Sequence, residues 1–336
     1  MKWLALDIGG ANLKIADGGD FAASQPFPLW QKSSHLHKAL ERLLKTAPAS
    51  DAVAVTMTGE LADCYRTKAE GVRHILSEVQ RAATDRPICV YRNDGQFVTT
   101  TVAIDDPLPV AAANWHALAR FVGRFIETGR ALLIDIGSTT TDIIPLNDGN
   151  PVSAGFTDTE RLIAGELVYA GITRTPIATL VANVSYRGQQ CSLARECFAR
   201  TADVYLTLGK LPENEADLDT PDGRPAMKND ARRRLARMIC ADEENFDHQD
   251  AFQMANAISL QQCHLLTAAI EKVVGRQSAQ IETAIISGSG EFLARKAVLE
   301  VHPAIRLLAL SELSGTETSH CGAAHALAVL AREECL

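Results

Sequence analysis

Trp3-Leu4-Ala5-Leu6-Asp7-Ile8-Gly9-Gly10-Ala11-Asn12-Leu13-Lys14 stands near the start of the chain, and Ala131-Leu132-Leu133-Ile134-Asp135-Ile136-Gly137-Ser138-Thr139-Thr140-Thr141-Asp142 repeats its plan. Each is an apolar run that reaches an Asp-Ile-Gly step, turns, and begins a second apolar run, Leu13 to Ala16 in one and Ile143 to Leu146 in the other. The pattern is strand, tight turn, strand, which predicts a β-hairpin rather than a strand feeding a helix. Asp7 and Asp135 lie 128 residues apart, about one domain length, so the repeat predicts a duplicated architecture.

Outward from the first hairpin, Leu36, Leu40, Leu43 and Leu44 give residues 34–46 the period of a helix. Residues 52–57 read as a buried strand, 69–83 as a helix and 87–92 as a strand ending in Asn93-Asp94-Gly95. Alternating strands and helices predict an α/β layer fold for a first lobe over 1–128. A second lobe over 129–320 begins with the repeated hairpin. Within it, 155–277 reads as a largely helical insertion with its best periodic stretches at 160–171, 192–208, 229–241 and 249–276. Residues 209–228 (GKLPENEADLDTPDGRPAMK) form a polar loop, a surface excursion or a lid. Ala284 to Ile286 is a short strand, and an alanine-rich helix fills 321–336, expected to pack back on the first lobe.

The chain of 336 residues exceeds one ordinary core and suits two lobes. Its net charge of −8 and lack of basic runs argue against nucleic acid and anionic membranes as partners. An anionic small molecule is still admitted, because a nest of backbone N–H groups holds phosphate whatever the net charge. No apolar stretch has transmembrane length and Met1-Lys2-Trp3 runs straight into a strand, so a cytoplasmic location is expected. The eight cysteines show no CxxC spacing and read as reduced, buried or half-buried thiols. No histidine pattern suggests zinc, and Arg232-Arg233-Arg234 reads as a solvated helix face.

Three loops carry the chemistry. In the first, Gly9 and Gly10 let the backbone turn and let phosphate oxygens approach its amides, while Asn12 adds a donor and Lys14 a point charge. Asp7 at the strand end can hold Mg²⁺ or orient an attacking group. A plain hairpin turn is the alternative for this loop taken alone. In the second, Gly137, Ser138, Thr139 and Thr140 stand between Asp135 and Asp142. Four consecutive hydroxyls make a poor structural turn, since threonine favours strands, but a sensible phosphate cradle. The third, Ser287-Gly288-Ser289-Gly290-Glu291, follows a strand and opens a helix, where backbone amides attract anions.

In this order the loops resemble the phosphate-1, phosphate-2 and adenosine motifs of the actin, Hsp70 and sugar-kinase superfamily. The resemblance implies two ribonuclease H-like lobes around a central cleft, with Asp7 and Asp135 facing each other across Mg²⁺ and a phosphate chain. Thr56-Met57-Thr58-Gly59-Glu60-Leu61-Ala62-Asp63, with Lys68 and Gly71-Val72, is similar to the hydantoinase/oxoprolinase branch. Ala113-Asn114-Trp115, Gly165-Glu166-Leu167-Val168-Tyr169 and Arg174-Thr175-Pro176 resemble a subgroup of methanofuran and tetrahydromethanopterin-linked one-carbon metabolism. The resemblance implies a transferase that condenses an aminomethylfuran-methanol diphosphate with γ-glutamyltyramine or a similar phenol and releases diphosphate. Within that reading Glu60, otherwise a helix-capping or loop carboxylate, is the first choice of base and Asp94 the second. Arg174 would meet either a carboxylate of the glutamyl tail or a structural partner, and Trp115 is a core residue or a stacking platform. ATP is not required by this reading. An ATP–Mg²⁺-dependent kinase or a hydantoinase-type amidohydrolase is the alternative, an actin-like scaffold a third, and a homodimer fits any of them.

Overall fold

In a computed structural model, which describes residues 1–277 and 280–335, the chain builds two principal sheets. The first contains β1 (Trp3–Ile8), β2 (Asn12–Ala16), β3 (Ala22–Pro26), β4 (Ala52–Met57), β5 (Ile88–Tyr91) and β6 (Phe97–Thr99), in the order β3-β2-β1-β4-β5-β6. The second contains β7 (Arg130–Ile136), β8 (Thr141–Asn147), β9 (Asn150–Pro151) and β10 (Leu167–Val168). A separate hairpin, β11 (Asn183–Tyr186) and β12 (Gln189–Ser192), precedes its last strands, β13 (Thr283–Ser287) and β14 (Arg306–Ala309). The order of the second sheet is β10-β8-β7-β13-β14, with β9 paired to β8.

Both sheets follow one plan. Three antiparallel strands (β3-β2-β1; β10-β8-β7) are extended by two parallel ones (β4-β5; β13-β14). That mixed order, met twice, defines two ribonuclease H-like lobes. β1 and β4 are buried at every position, as apolar strands covered on both faces must be. Helices Leu36–Thr46 and Lys68–Ala83 cover one face of the first sheet, the former through Leu36, Ala39, Leu40, Leu43 and Leu44. The long helix His248–Val274 and helix Glu291–Val301 cover the outer face of the second.

Between the sheets lie helices Asn114–Val122 and Gly322–Glu334. The first sends Trp115, Leu118 and Phe121 against Leu133 and Ile144 of the second sheet, and Ala117 towards Trp3 and Tyr91 of the first. Leu327, Ala328 and Ala331 of the C-terminal helix lie on the first sheet, where small side chains allow close approach on every side. Arg120–Glu334 (2.8 Å) and Arg124–Glu333 (2.5 Å) join the two helices at their exposed edge.

The segment 155–277 is less helical than its periodicity suggests. The stretch 160–171 stops at Gly165, whose left-handed φ of 77° ends helix Asp158–Ala164, and the chain then adds β10 to the sheet. Of 192–208 only Thr201–Thr207 is helical, the β11–β12 hairpin occupying its start. Cys64, Cys197 and Cys240 are exposed rather than buried, and all eight cysteines are free thiols. No helix among the described residues is long and apolar enough to cross a membrane.

Arg232-Arg233-Arg234 also departs from expectation. Arg234 is fully buried in helix Lys228–Arg237, its Nε donating to Asp203 (2.7 Å) and its Nη1 to Asp222 (3.0 Å). A charge run names its residues but not the acids, 12 and 31 positions away, that the fold carries inside to meet them. Removing one member of a buried pair leaves the other uncompensated, at a cost of about 3–5 kcal/mol. Arg234→Ala is therefore expected to lower the urea midpoint by that equivalent at pH 8. At pH 5 the loss should be smaller, because burial raises the Asp203 pKa and the variant lacks the arginine that opposes that rise. An equal loss at both pH values would contradict this account.

Candidate active site

The two hairpins place four charged residues at one level. In β1–β2 Asp7 stands opposite Lys14, and in β7–β8 Asp135 stands opposite Asp142. Lys14 and Asp142 are themselves 128 residues apart, so they hold the same place in the duplication and carry opposite charge. Directly opposed like charges destabilise a strand pair. The second lobe answers with Arg161, fully buried, whose Nη2 donates to Asp142 Oδ1 at 2.5 Å while its guanidinium lies 4.3 Å above the Trp115 ring. Helix Asp158–Ala164 fixes that arginine, its start closed by a reciprocal capping box between Thr157 and Glu160.

Burial raises the pKa of Asp7, with Lys14 opposing and Asp142 assisting. Burial raises Asp135 to about 6, helped by Asp142 and Asp7 and opposed by the Ser287 hydroxyl, which donates to its Oδ1 at 2.5 Å, and by Lys14. Asp142 is raised by burial against the pull of Arg161. One lysine thus acts on three carboxylates, and Asp7 Oδ1 is buried without any hydrogen-bond partner. A buried acceptor left bare calls for a partner such as a water, an ion or a ligand.

The turns are also duplicated. Gly9 N–H donates to Asn12 O (3.0 Å) and Gly137 N–H to Thr140 O (2.9 Å). Across the lobes, Asn12 Nδ2 donates to Ser138 Oγ at 3.4 Å, so the two loops meet. Gly171 supports the second loop from behind: a Cβ there would come within 2.5 Å of the Ser138 and Thr139 backbone. Thr173 and Arg174 amides donate to Ser138 O at 3.1 and 3.0 Å.

The third loop is committed elsewhere. Gly288 adopts φ 85° with Ile136 O and Asp135 Oδ1 where a Cβ would be, and Gly290 lies against Ile136. Gly288 N–H donates to Ser319 Oγ and Gly290 N–H to Ile136 O. The Glu291 carboxylate accepts from the Ser311 amide and hydroxyl and from Ser319 Oγ, tying its helix to the chain beyond β14. Gly288, Gly290 and Glu291 thus brace Asp135 from behind. Ser289, half-buried, is among the third-loop residues that do not line the cleft.

Glu60 is buried, with Oε2 unpartnered. Burial pushes its pKa up to about 7, assisted by Asp158 and moderated by its own backbone amide, Lys68 and the Ala112 amide. The chain fits closely around it: a Cβ on Gly71 would reach 2.1 Å from Glu60 O, and Ala112 takes a left-handed φ of 49°. Glu60 is not itself among the residues that line the cleft, and neither is the other base considered, Asp94. It stands in the β5–β6 turn, where burial raises its pKa less than the Arg92 guanidinium (2.9 Å) and the Gln96 amide lower it. An acid so held makes a poor base.

A cavity of about 880 Å³ opens beside the loops. Gly10, Ala11, Thr139, Thr140 and Asp142 line it together with Trp30, Tyr169, Arg174, Arg200 and, from the 209–228 loop, Asp219. The Lys68–Asp158 pair (3.3 Å) joins the lobes beside it. Trp30, Arg161 and Arg200 were not singled out from the sequence, since each is an isolated residue in an unremarkable run.

Two duplicated hairpins whose turns meet at Asn12 and Ser138 define a two-lobed protein of the actin-like fold. The chain belongs to the hydantoinase/oxoprolinase family, which it matches over residues 51–309. It is 36% identical over 334 residues, 98% of both chains, to the (4-{4-[2-(gamma-L-glutamylamino)ethyl]phenoxymethyl}furan-2-yl)methanamine synthase of Methanocaldococcus jannaschii. A synthase of the same name from Methanococcus vannielii is 30% identical over 64% of this chain and 96% of its own. Among solved structures, an archaeal actin homologue aligns over 99% of this chain and all of its own at a TM-score of 0.44 and 11% identity.

Proposed function

We propose that the protein is a cytoplasmic transferase that makes the phenoxymethylfuran ether named for its relatives, from an aminomethylfuran-methanol diphosphate and γ-glutamyltyramine. The observation that carries this reading is the cavity itself. Its lining combines hydroxyl and glycine loops suited to a diphosphate with two arginines suited to an acid. In the reaction the phenol oxygen attacks the furanyl CH₂. The bond from that carbon to the diphosphate oxygen breaks, its electron pair leaves with diphosphate, and the phenol proton passes to Glu60.

Asn12, Lys14, Ser138, Thr139 and Thr140, with the Gly10 amide, hold the diphosphate, while the Gly9 and Gly137 amides close the two turns that present them. Asp7 and Asp135 would hold Mg²⁺. Among the described residues no three His, Cys, Asp or Glu side chains gather as ligands. Mg²⁺ commonly takes only one or two carboxylates and completes its shell with phosphate oxygens and water, so the bare Asp7 Oδ1 and its neighbour fit it. Bound there, it would neutralise the charge that grows on the departing diphosphate.

The test is to supply purified protein with Mg²⁺, the furan diphosphate and γ-glutamyltyramine, and to follow diphosphate and the ether by mass. One diphosphate per ether without ATP is expected. Turnover that needs ATP, or ATP hydrolysis with no ether, would replace this reading by the kinase or amidohydrolase alternative.

A further inference from the structure

In the wall of the cavity two arginines lie together and are poorly matched by protein acids. Arg174 stands 4.2 Å over the Trp30 indole, and its Nη1 is buried with no hydrogen-bond partner. Its nearest acid oxygen is Asp219 Oδ2 at 4.0 Å, while Arg200 Nη1 is 3.5 Å from Asp219 Oδ1. Charge-assisted bonds between such groups close to about 2.7–2.9 Å when geometry allows. Here they do not close, and the Asp219 side chain keeps 58% of its surface in solvent. Two half-buried cations therefore share one loosely held carboxylate, on a loop that is anchored not here but at Asp222, by Arg234 and Arg237.

We propose that Arg174, Arg200 and Asp219 form a site for a zwitterionic α-amino-acid headgroup. The arginines take its carboxylate, and Asp219, which lies between them in the free protein, turns to its ammonium. Trp30 buttresses the Arg174 fork from the other lobe. A γ-linked glutamyl group presents that pair of charges, because its amide uses the side-chain carboxyl and leaves the α-ammonium and α-carboxylate free. The inference rests on the proposed ether-forming reaction for its acceptor but concerns side chains other than those assigned to the diphosphate. It makes residues 209–228 part of acceptor selection, and it predicts that a carboxylate alone is a poorer acceptor than the amino acid.

Three acceptors separate the contributions: γ-glutamyltyramine, the glutaryl amide of tyramine, which has the carboxylate without the ammonium, and tyramine itself. In the unaltered protein kcat/KM should fall in that order. Arg174→Gln should raise KM for γ-glutamyltyramine about 10- to 100-fold with kcat changed little, and the preference for the two acids over tyramine should collapse. Asp219→Asn should reduce the preference of γ-glutamyltyramine over the glutaryl amide about tenfold and leave the glutaryl amide's preference over tyramine in place. If the unaltered protein forms ether but Arg174→Gln slows all three acceptors alike, the headgroup site is wrong while the reaction stands. If it forms no ether from any acceptor, the reaction itself is wrong. Calorimetry then decides the site alone: γ-glutamyltyramine should bind the unaltered protein and bind Arg174→Gln at least tenfold more weakly, and equal binding would overturn it.

Discussion

Glu60→Gln is expected to lower kcat/KM by about 10²–10⁴-fold, the usual worth of a general base, while making the protein more stable at pH 8. Both effects follow from one placement. Burial raises the carboxyl from its ordinary 4.5 to about 7. Below pH 4.5 the acid is protonated whether the chain is folded or unfolded, so it contributes no pH dependence. Between 4.5 and about 7 the folded protein keeps a proton that the unfolded chain has lost, so stability falls as pH rises across this window. The shift amounts to about 3 kcal/mol once the pH is above it. Glutamine carries no such charge, so its gain should be present at pH 8 and absent at pH 4. The same ionisation sets activity: kcat/KM of the unaltered protein should climb with a midpoint near 7 as the base deprotonates, and the variant should lose that limb. A purely structural carboxylate would behave otherwise. Glu60→Gln would then keep both the height and the shape of the pH–rate profile.

Much of the scaffold is legible in the sequence because its signals are local. An apolar run ending in Asp-Ile-Gly fixes β1 and β7, and leucine spacing fixes the helix at 36–46. The duplication then follows from the apolar pattern shared on both sides of the Asp-Ile-Gly step and its 128-residue interval. The short edge strands β3, β6, β10 and β14 are not legible in the same way. β3 (AASQP) has neither alternation nor a continuous apolar run, and it exists because Asn12–Ala16 offers it a partner. In the cleft the loops are visible but their division of labour is not. Glu291 looks like an anion-site residue at a helix start, yet three donors from residues 311 and 319 take its carboxylate. Asp94 and Glu60 are equally plain acids on paper. Arg92, two residues from one, and the desolvating wall around the other set them apart. Trp30 and Arg174 meet from different lobes, a contact that no spacing in either segment encodes.

Asp7→Asn should reduce turnover about 10³-fold and abolish the response of the protein to Mg²⁺ with diphosphate, while leaving the unliganded protein as stable as before or more so. The stability argument turns on partners. Asp7 is buried, its Oδ1 accepts from nothing, and both burial and Asp142 press it towards the neutral form against Lys14. Replacing it by a neutral isostere removes a desolvated charge at pH 8, so the cost of ionising it disappears with it. Asp142→Asn is the control with the opposite sign. Its carboxylate holds the buried Arg161, and removing that charge strands a guanidinium at about 3–5 kcal/mol. The ligand response separates them further. Mg²⁺ and diphosphate together at a hundred times their Kd stabilise a folded protein by about 2.7 kcal/mol. Thermal unfolding should show that increment in the unaltered protein and lose it in Asp7→Asn, whose amide cannot balance a divalent cation. In Asp142→Asn the increment should persist on a lowered baseline. If Asp7→Asn instead unfolds earlier and still responds fully to Mg²⁺ with diphosphate, then Asp7 is a structural partner of Lys14, and the phosphate end of the cleft must be built without it.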